Sequence, residues 1–97
     1  MIVVRNCFVA KPGQASKLAA LLKDSMSVAN LGGMQEVRVL TDLTGDFNRV
    51  IMEYVADNIG QFEADMKDYY SNQALRDKMK GYTDLYVTGS REILQVA

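Results

Sequence analysis

Residues 6–22 read NCFVAKPGQASKLAALL, and the fold turns on how this stretch divides. Up to Ala10 the chain is rich in β-branched and aromatic residues. After Gly13, leucines recur at helical spacing. Proline has no N–H for a β-ladder and glycine accepts turn conformations freely, so Pro12-Gly13 stops a strand and lets a helix begin. A strand running through a tight turn into an amphipathic helix is the first half of a βαβ unit.

Working outward, the strand extends back over residues 2–10, IVVRNCFVA. In the helix, Leu18, Leu21, Leu22, Ser25, Met26, Val28 and Ala29 fall within roughly 160° at 100° per residue. Lys17, Lys23, Asp24, Ser27 and Asn30 occupy the rest, and Gly32-Gly33 is predicted to close the helix. Residues 35–42 alternate as a strand, Leu43-Thr44-Gly45-Asp46 has turn chemistry, and residues 48–56 form the return strand of an antiparallel hairpin. Asp57 or Asn58 can cap the next helix, with Gln61 placed for a capping box on Asn58. Its apolar stripe reads Ile59, Phe62, Met66, Tyr69 and Tyr70, and Glu63, Asp65 and Asp68 fall to its wet side. Ser71-Asn72 ends it. A short helix follows through Ala74, Leu75 and Met79 to Gly81. Residues 82–88 and 91–96 form a last strand, with a bulge predicted at Gly89-Ser90.

The order is βαββαβ: a single α+β domain over 1–97, ferredoxin-like, with an antiparallel four-stranded sheet in the order 4-1-3-2 and its helices on one face. The second sheet face is then bare. It is not polar, as a solvated face would be, because Val3, Cys7, Val9, Ile51 and Val55 alternate onto it. That much exposed aliphatic surface predicts a partner, and the simplest is a second copy: a homodimer burying about 1,600 Å² or more, with Arg5, Arg38, Ile51 and Glu53 at the interface. If Arg38 lies opposite Glu53, Asp42 falls opposite Arg49. Gly89 would let residues 90–97 bend away and pair with the other subunit.

Composition narrows the chemistry. The 97 residues are 48% hydrophobic and 24% charged, with a formal net charge of −1, which gives no basic face for nucleic acid and no apolar run of membrane-spanning length. Met1-Ile2-Val3-Val4 meets Arg5 too soon for a secretory signal, and the lone Cys7 reads as a small buried hydrophobe in a reducing cytoplasm. There is no histidine, so Ser-His-Asp and Cys-His pairs and histidine metal clusters are excluded. No metal site and no cofactor is called for.

The strand into AKPGQASKL, the hairpin TDLTGDFNRVIMEYV, the helix start ADNIGQFEADM and the terminal VTGSREILQV together resemble the dimeric α+β-barrel superfamily, and are most similar to small proteins related to NIPSNAP and to antibiotic-biosynthesis-type monooxygenases. The resemblance implies a homodimer whose sheets form a barrel, with a pocket in each subunit between sheet and helices. Some relatives oxidise aromatic substrates without metal or flavin, and others degrade haem with an Asn on the first strand, a Trp and a His. Asn6 matches that Asn. The chain holds no Trp and no His, so the haem-degrading set is incomplete.

A pocket under the helices would be lined by Asn6, Phe8, Met52 and Tyr54 from the sheet and by Phe62, Met66 and Tyr69 from the helix, with Asn6 and Tyr54 as catalytic candidates. Met26, Met34 and Met79 are adaptable gap-fillers. Tyr82 and Tyr86 are expected to cover an edge or contact the partner. Two function classes stay open: a pocket protein for a small apolar or aromatic molecule, extending to a cofactor-independent monooxygenase, and a non-catalytic dimeric ligand-binding or regulatory module.

Overall fold

A computed structural model of the chain describes residues 1–28, 34–45 and 47–97. The elements are β1 (Ile2–Ala10), α1 (Ala15–Val28), β2 (Gln35–Thr41), β3 (Arg49–Ala56), α2 (Ile59–Ser71), α3 (Gln73–Lys78) and β4 (Tyr86–Gln95), with a 3₁₀ turn at Tyr82–Asp84. The sheet order is β2-β3-β1-β4, all pairs antiparallel, as the right-handed crossover rule requires. The expected closure of α1 at Gly32-Gly33, the Ala29 end of its stripe and Asp46 of the hairpin turn lie outside the described residues. The molecule measures 35 × 35 × 19 Å, a slab one sheet and one helix layer thick.

The strand-to-helix passage that opens the chain is held at both ends. Ala10 N–H donates to Asn48 O and Lys11 N–H to Leu85 O, anchoring the end of β1 to both flanking segments. Gly13 takes a left-handed φ of 78°, and Leu18 N–H donates to Gln14 O as α1 begins. Leu18, Leu22 and Ser25 of α1 are buried against Ile2, Val4, Val50, Tyr54 and Ala56 of the sheet. Ser25 Oγ donates to Leu22 O at 2.7 Å, so the one hydroxyl in that stripe is satisfied within its own helix.

Several expectations are corrected. The Asn58 cap forms, since its side chain accepts from Gln61 N–H at 2.9 Å, but the box does not close because Gln61 Nε2 donates instead to Asp65 Oδ1 at 3.0 Å. Asp65 is not on the wet side of α2: it is 1% exposed, whereas Ile59 and Tyr70 of the expected stripe are exposed. Cys7 is half-buried on the open face rather than buried in the core. The last strand starts at Tyr86 because the chain first makes the 3₁₀ turn behind Gly81, whose φ is 86°.

No bulge occurs at Gly89-Ser90. β4 runs unbroken past them, and its register shift lies instead opposite Val9/Ala10. Gly89 pairs with Phe8, and a Cβ there would approach Phe8 Cδ1 to 3.2 Å, so the glycine makes room for a ring rather than a bend. Residues 90–95 pair with β1 of their own chain, Ser90 with Cys7 through to Gln95 with Ile2.

On the face turned from the helices, β1 presents Arg5 opposite Glu53, and β2 presents Arg38 opposite the same residue. Both arginines bond it. Arg5 Nε donates to Glu53 Oε2 at 2.6 Å, and Arg38 donates to Oε1 through Nε at 3.1 Å and Nη2 at 2.7 Å. Arg5 Nη1 also stands 3.9 Å from Glu92 Oε2. The expected Asp42–Arg49 pair is absent: β2 ends at Thr41, and Asp42 Oδ2 is buried without a hydrogen-bond partner.

The two guanidinium groups shield Glu53 from water, leaving it 6% exposed, and hold its carboxyl below the ordinary value of 4.5 through the hydrogen bonds from Arg5 and then Arg38. A depressed folded-state pKa stabilises above the unfolded value, and that contribution is lost as pH falls through the folded value. Melting temperature measured from pH 7 to pH 3 is therefore expected to drop more steeply below about pH 4.5 in the wild type than in Glu53→Gln. Parallel profiles would show that Glu53 carries no pH-linked stability.

Candidate ligand site

Between the helix-facing side of the sheet and the helices lies a cavity of about 510 Å³. Asn6 and Phe8 of β1 and Met52 of β3 form its floor, joined by Gly89 and Arg91 of β4. Leu22, Ser25 and Met26 of α1 and Met66, Tyr69 and Tyr70 of α2 wall it, with Met34, Met79, Tyr82 and Tyr86 completing the lining. The distribution is uneven in a telling way. The chain has six methionines and five tyrosines. Every methionine except Met1, and every tyrosine except Tyr54, lines this one cavity.

Alternation explains how the floor is assembled. Asn6 pairs with Met52 on one side and Arg91 on the other, and Phe8 pairs with Val50 and Gly89, so these side chains point to one face. The aromatic wall is continuous: Phe8 and Tyr86 ring centroids are 5.0 Å apart and Tyr82 and Tyr86 5.8 Å. Tyr82 and Tyr86 thus line the cavity, where the sequence placed them at an edge or a partner contact.

The polar end is built around Asn6, 8% exposed. Arg91 Nε donates to Asn6 Oδ1 at 2.7 Å, and the Arg91 guanidinium carbon lies 5.2 Å from the centroid of the Phe62 ring. Phe62 packs beneath the arginine and does not line the cavity, and neither does Tyr54. Tyr54 is fully buried, its hydroxyl without a hydrogen-bond partner. Burial pushes its phenol up to about 12, with the Arg91 charge working against the shift and the Asp65 charge adding to it. Burial also raises Tyr69 and Tyr82. At neutral pH these three hydroxyls can donate a hydrogen bond and cannot act as bases. Asp65 Oδ2 is likewise buried and without a partner. No group of three or more His, Cys, Asp or Glu side chains suited to a metal ion occurs among the described residues.

The fold has structural counterparts. A NIPSNAP domain protein from Burkholderia xenovorans superposes with a TM-score of 0.85 over 100% of this chain and 95% of its own, at 13% identity. A NIPSNAP family protein from Agrobacterium tumefaciens gives 0.84 over 99% and 92%, also at 13%. An antibiotic biosynthesis monooxygenase gives 0.75 over 100% and 99%, at 8%. The chain shares the ferredoxin-like α+β fold of these proteins. No protein-family model and no curated protein matches its sequence. Within this fold the cavity occupies the space between sheet and helices, and among the described residues no helix is long and apolar enough to cross a membrane.

Proposed function

We propose that the chain is a homodimeric binding protein for a small, flat, apolar or aromatic molecule, held between sheet and helices in the cavity floored by Asn6, Phe8 and Met52. The observation that carries this reading is the convergence of five methionines and four tyrosines on one space. Methionine adapts its shape and makes favourable sulfur–aromatic contacts, and tyrosine supplies flat apolar area with a polar tip. A volume of about 510 Å³ lies within the range of ligand pockets, where a chain with no ligand would fill its core. Two copies pair through the open sheet face, where Val3, Cys7, Val9, Leu40, Ile51, Val55 and Leu94 surround the Arg5–Glu53–Arg38 cluster and none of these seven is buried within the single chain.

A cofactor-independent oxygenase is the second reading, favoured by the likeness to an antibiotic biosynthesis monooxygenase. Such chemistry needs a carbanion formed from the substrate. The lining offers no carboxylate, and burial raises the phenols of Tyr69 and Tyr82, so the substrate would have to arrive already ionised.

The test is a thermal-shift screen with fused-ring aromatics against wild type and Met66→Trp, which narrows the cavity with an indole. At a hundredfold excess over Kd, a ligand of the native state stabilises by about 2.7 kcal/mol. The wild type is expected to shift by several degrees and Met66→Trp by clearly less. Equal shifts in both would place the ligand elsewhere, and no shift with any aromatic would remove the binding reading. Oxygen uptake with the same ligands separates the second reading from the first.

A further inference from the structure

Arg91 is the only charged side chain lining the cavity among the described residues. From its surroundings we infer that the ligand is an aromatic carboxylic acid, its carboxylate held end-on by the two Nη groups of Arg91. This rests on the cavity reading above and adds the chemical class of the occupant.

Arg91 is exposed in the single chain, and two contacts hold its guanidinium in place. Its Nε is committed to Asn6 Oδ1 at 2.7 Å, and its plane is braced on Phe62 at 5.2 Å. Those two contacts leave the Nη1–Nη2 edge, a planar pair of donors whose spacing matches the two oxygens of a carboxylate. No acidic side chain lies within ion-pair distance of Arg91 among the described residues, in contrast to Arg5 and Arg38, which both bond Glu53. The identity of residue 6 matters here. An aspartate would orient Arg91 equally well and neutralise it, whereas the asparagine amide accepts the Nε hydrogen bond and leaves the full charge to the cavity. No carboxylate lines the cavity to repel an anion, since Asp65 contributes nothing to the lining. One cation with one free edge suits a carboxylate better than a phosphate, which would call for more donors than this end of the cavity holds. Behind the head, the tyrosine and methionine walls take the flat body.

The test is calorimetric titration of the full chain at pH 7 with 2-naphthoate and its neutral counterpart 2-naphthalenemethanol, on wild type, Arg91→Gln and Asn6→Asp. A charge-assisted pair predicts a preference for the acid of about tenfold to a hundredfold in wild type, weakening with added salt. In Arg91→Gln the ratio of the two affinities is expected to fall to about one. Asn6→Asp is nearly isosteric and supplies Arg91 with a carboxylate of its own, so the preference should collapse there as well, a result that simple loss of folding cannot imitate while the alcohol still binds. Equal binding of acid and alcohol by wild type, or a preference that survives both substitutions, overturns the inference and leaves the cavity reading standing. Binding of neither molecule overturns both.

Discussion

Ile51→Asp is expected to convert a dimer into a monomer, raising the dissociation constant by at least about a thousandfold. Ile51 pairs with Cys7 on one side and Leu40 on the other, in the middle of the sheet face that the helices leave uncovered. A two-fold interface uses the same patch twice, so each substitution places two carboxylates in the seam. The two nearby cations give them no free partner, because Arg5 and Arg38 already donate to Glu53. An unpaired buried charge costs about 3–5 kcal/mol, and every 1.4 kcal/mol is about tenfold in affinity, so even one of the two carboxylates accounts for most of the predicted change. Residue 51 faces away from Leu18, Leu22 and the rest of the helix-facing core, and the far-ultraviolet circular dichroism should therefore be nearly unchanged. Sedimentation velocity across about 1–50 μM, compared for wild type, Ile51→Ala and Ile51→Asp, reads the result. A wild type that sediments as a folded monomer at the top of that range would remove the proposed dimer, and an Ile51→Asp variant with wild-type affinity would move the interface off this face.

The parts of the fold that periodicity governs were legible without coordinates. β1 occupies residues 2–10 as its β-branched run suggests, the hairpin sets Arg38 opposite Glu53, and the handedness of crossovers leaves only the order β2-β3-β1-β4. What escaped has three different causes. Gly89 answers to Phe8, 81 positions earlier in the chain, and a close approach between distant residues leaves no local pattern. The 3₁₀ turn at Tyr82–Asp84 replaces what reads as strand because the chain must first return from α3, and that detour carries Tyr82 and Tyr86 into the cavity. Asp65 is the instructive case. Phe62, Asp65, Met66 and Tyr69 stand at i, i+3, i+4 and i+7, the spacing of a buried stripe. The position said buried and the residue type said exposed, and the position was right. The same logic applies to the site: Asn6 and Met52 were visible as members of the helix-facing alternation, but Arg91 was not, because its role depends on the pairing of β4 with β1 rather than on any motif.

Asp65→Asn is expected to stabilise the protein by about 1–3 kcal/mol, which for a domain of this size raises the melting temperature by about 4–8 °C per kcal/mol. Asp65 is 1% exposed, accepts one hydrogen bond, from Gln61 Nε2, and leaves Oδ2 buried without a partner. A buried carboxylate held by a single neutral amide keeps most of its desolvation cost, since no cation lies within ion-pair distance of it among the described residues. Asparagine retains Oδ1 for Gln61, has nearly the same shape, and replaces the unpartnered oxygen with a neutral group. The Tyr54 hydroxyl, also buried and unpartnered, feels the Asp65 charge, which adds to the upward push on its phenol. Removing that charge should bring the Tyr54 titration down from about 12, a shift that ultraviolet difference spectra can follow independently of stability. Because Asp65 lies outside the cavity lining, affinity for an aromatic ligand should change by less than about threefold while stability rises. Should the variant instead lose more than about 1 kcal/mol, the carboxylate would have to be engaged at Oδ2 in solution, and the natural candidate is the unpartnered Tyr54 hydroxyl, whose titration its charge raises. Chemical denaturation of wild type, Asp65→Asn and the Asp65→Asn/Tyr54→Phe double variant decides between these accounts: additive effects mean that the two orphaned groups act separately, and a coupling of about 1 kcal/mol or more means that they form a pair.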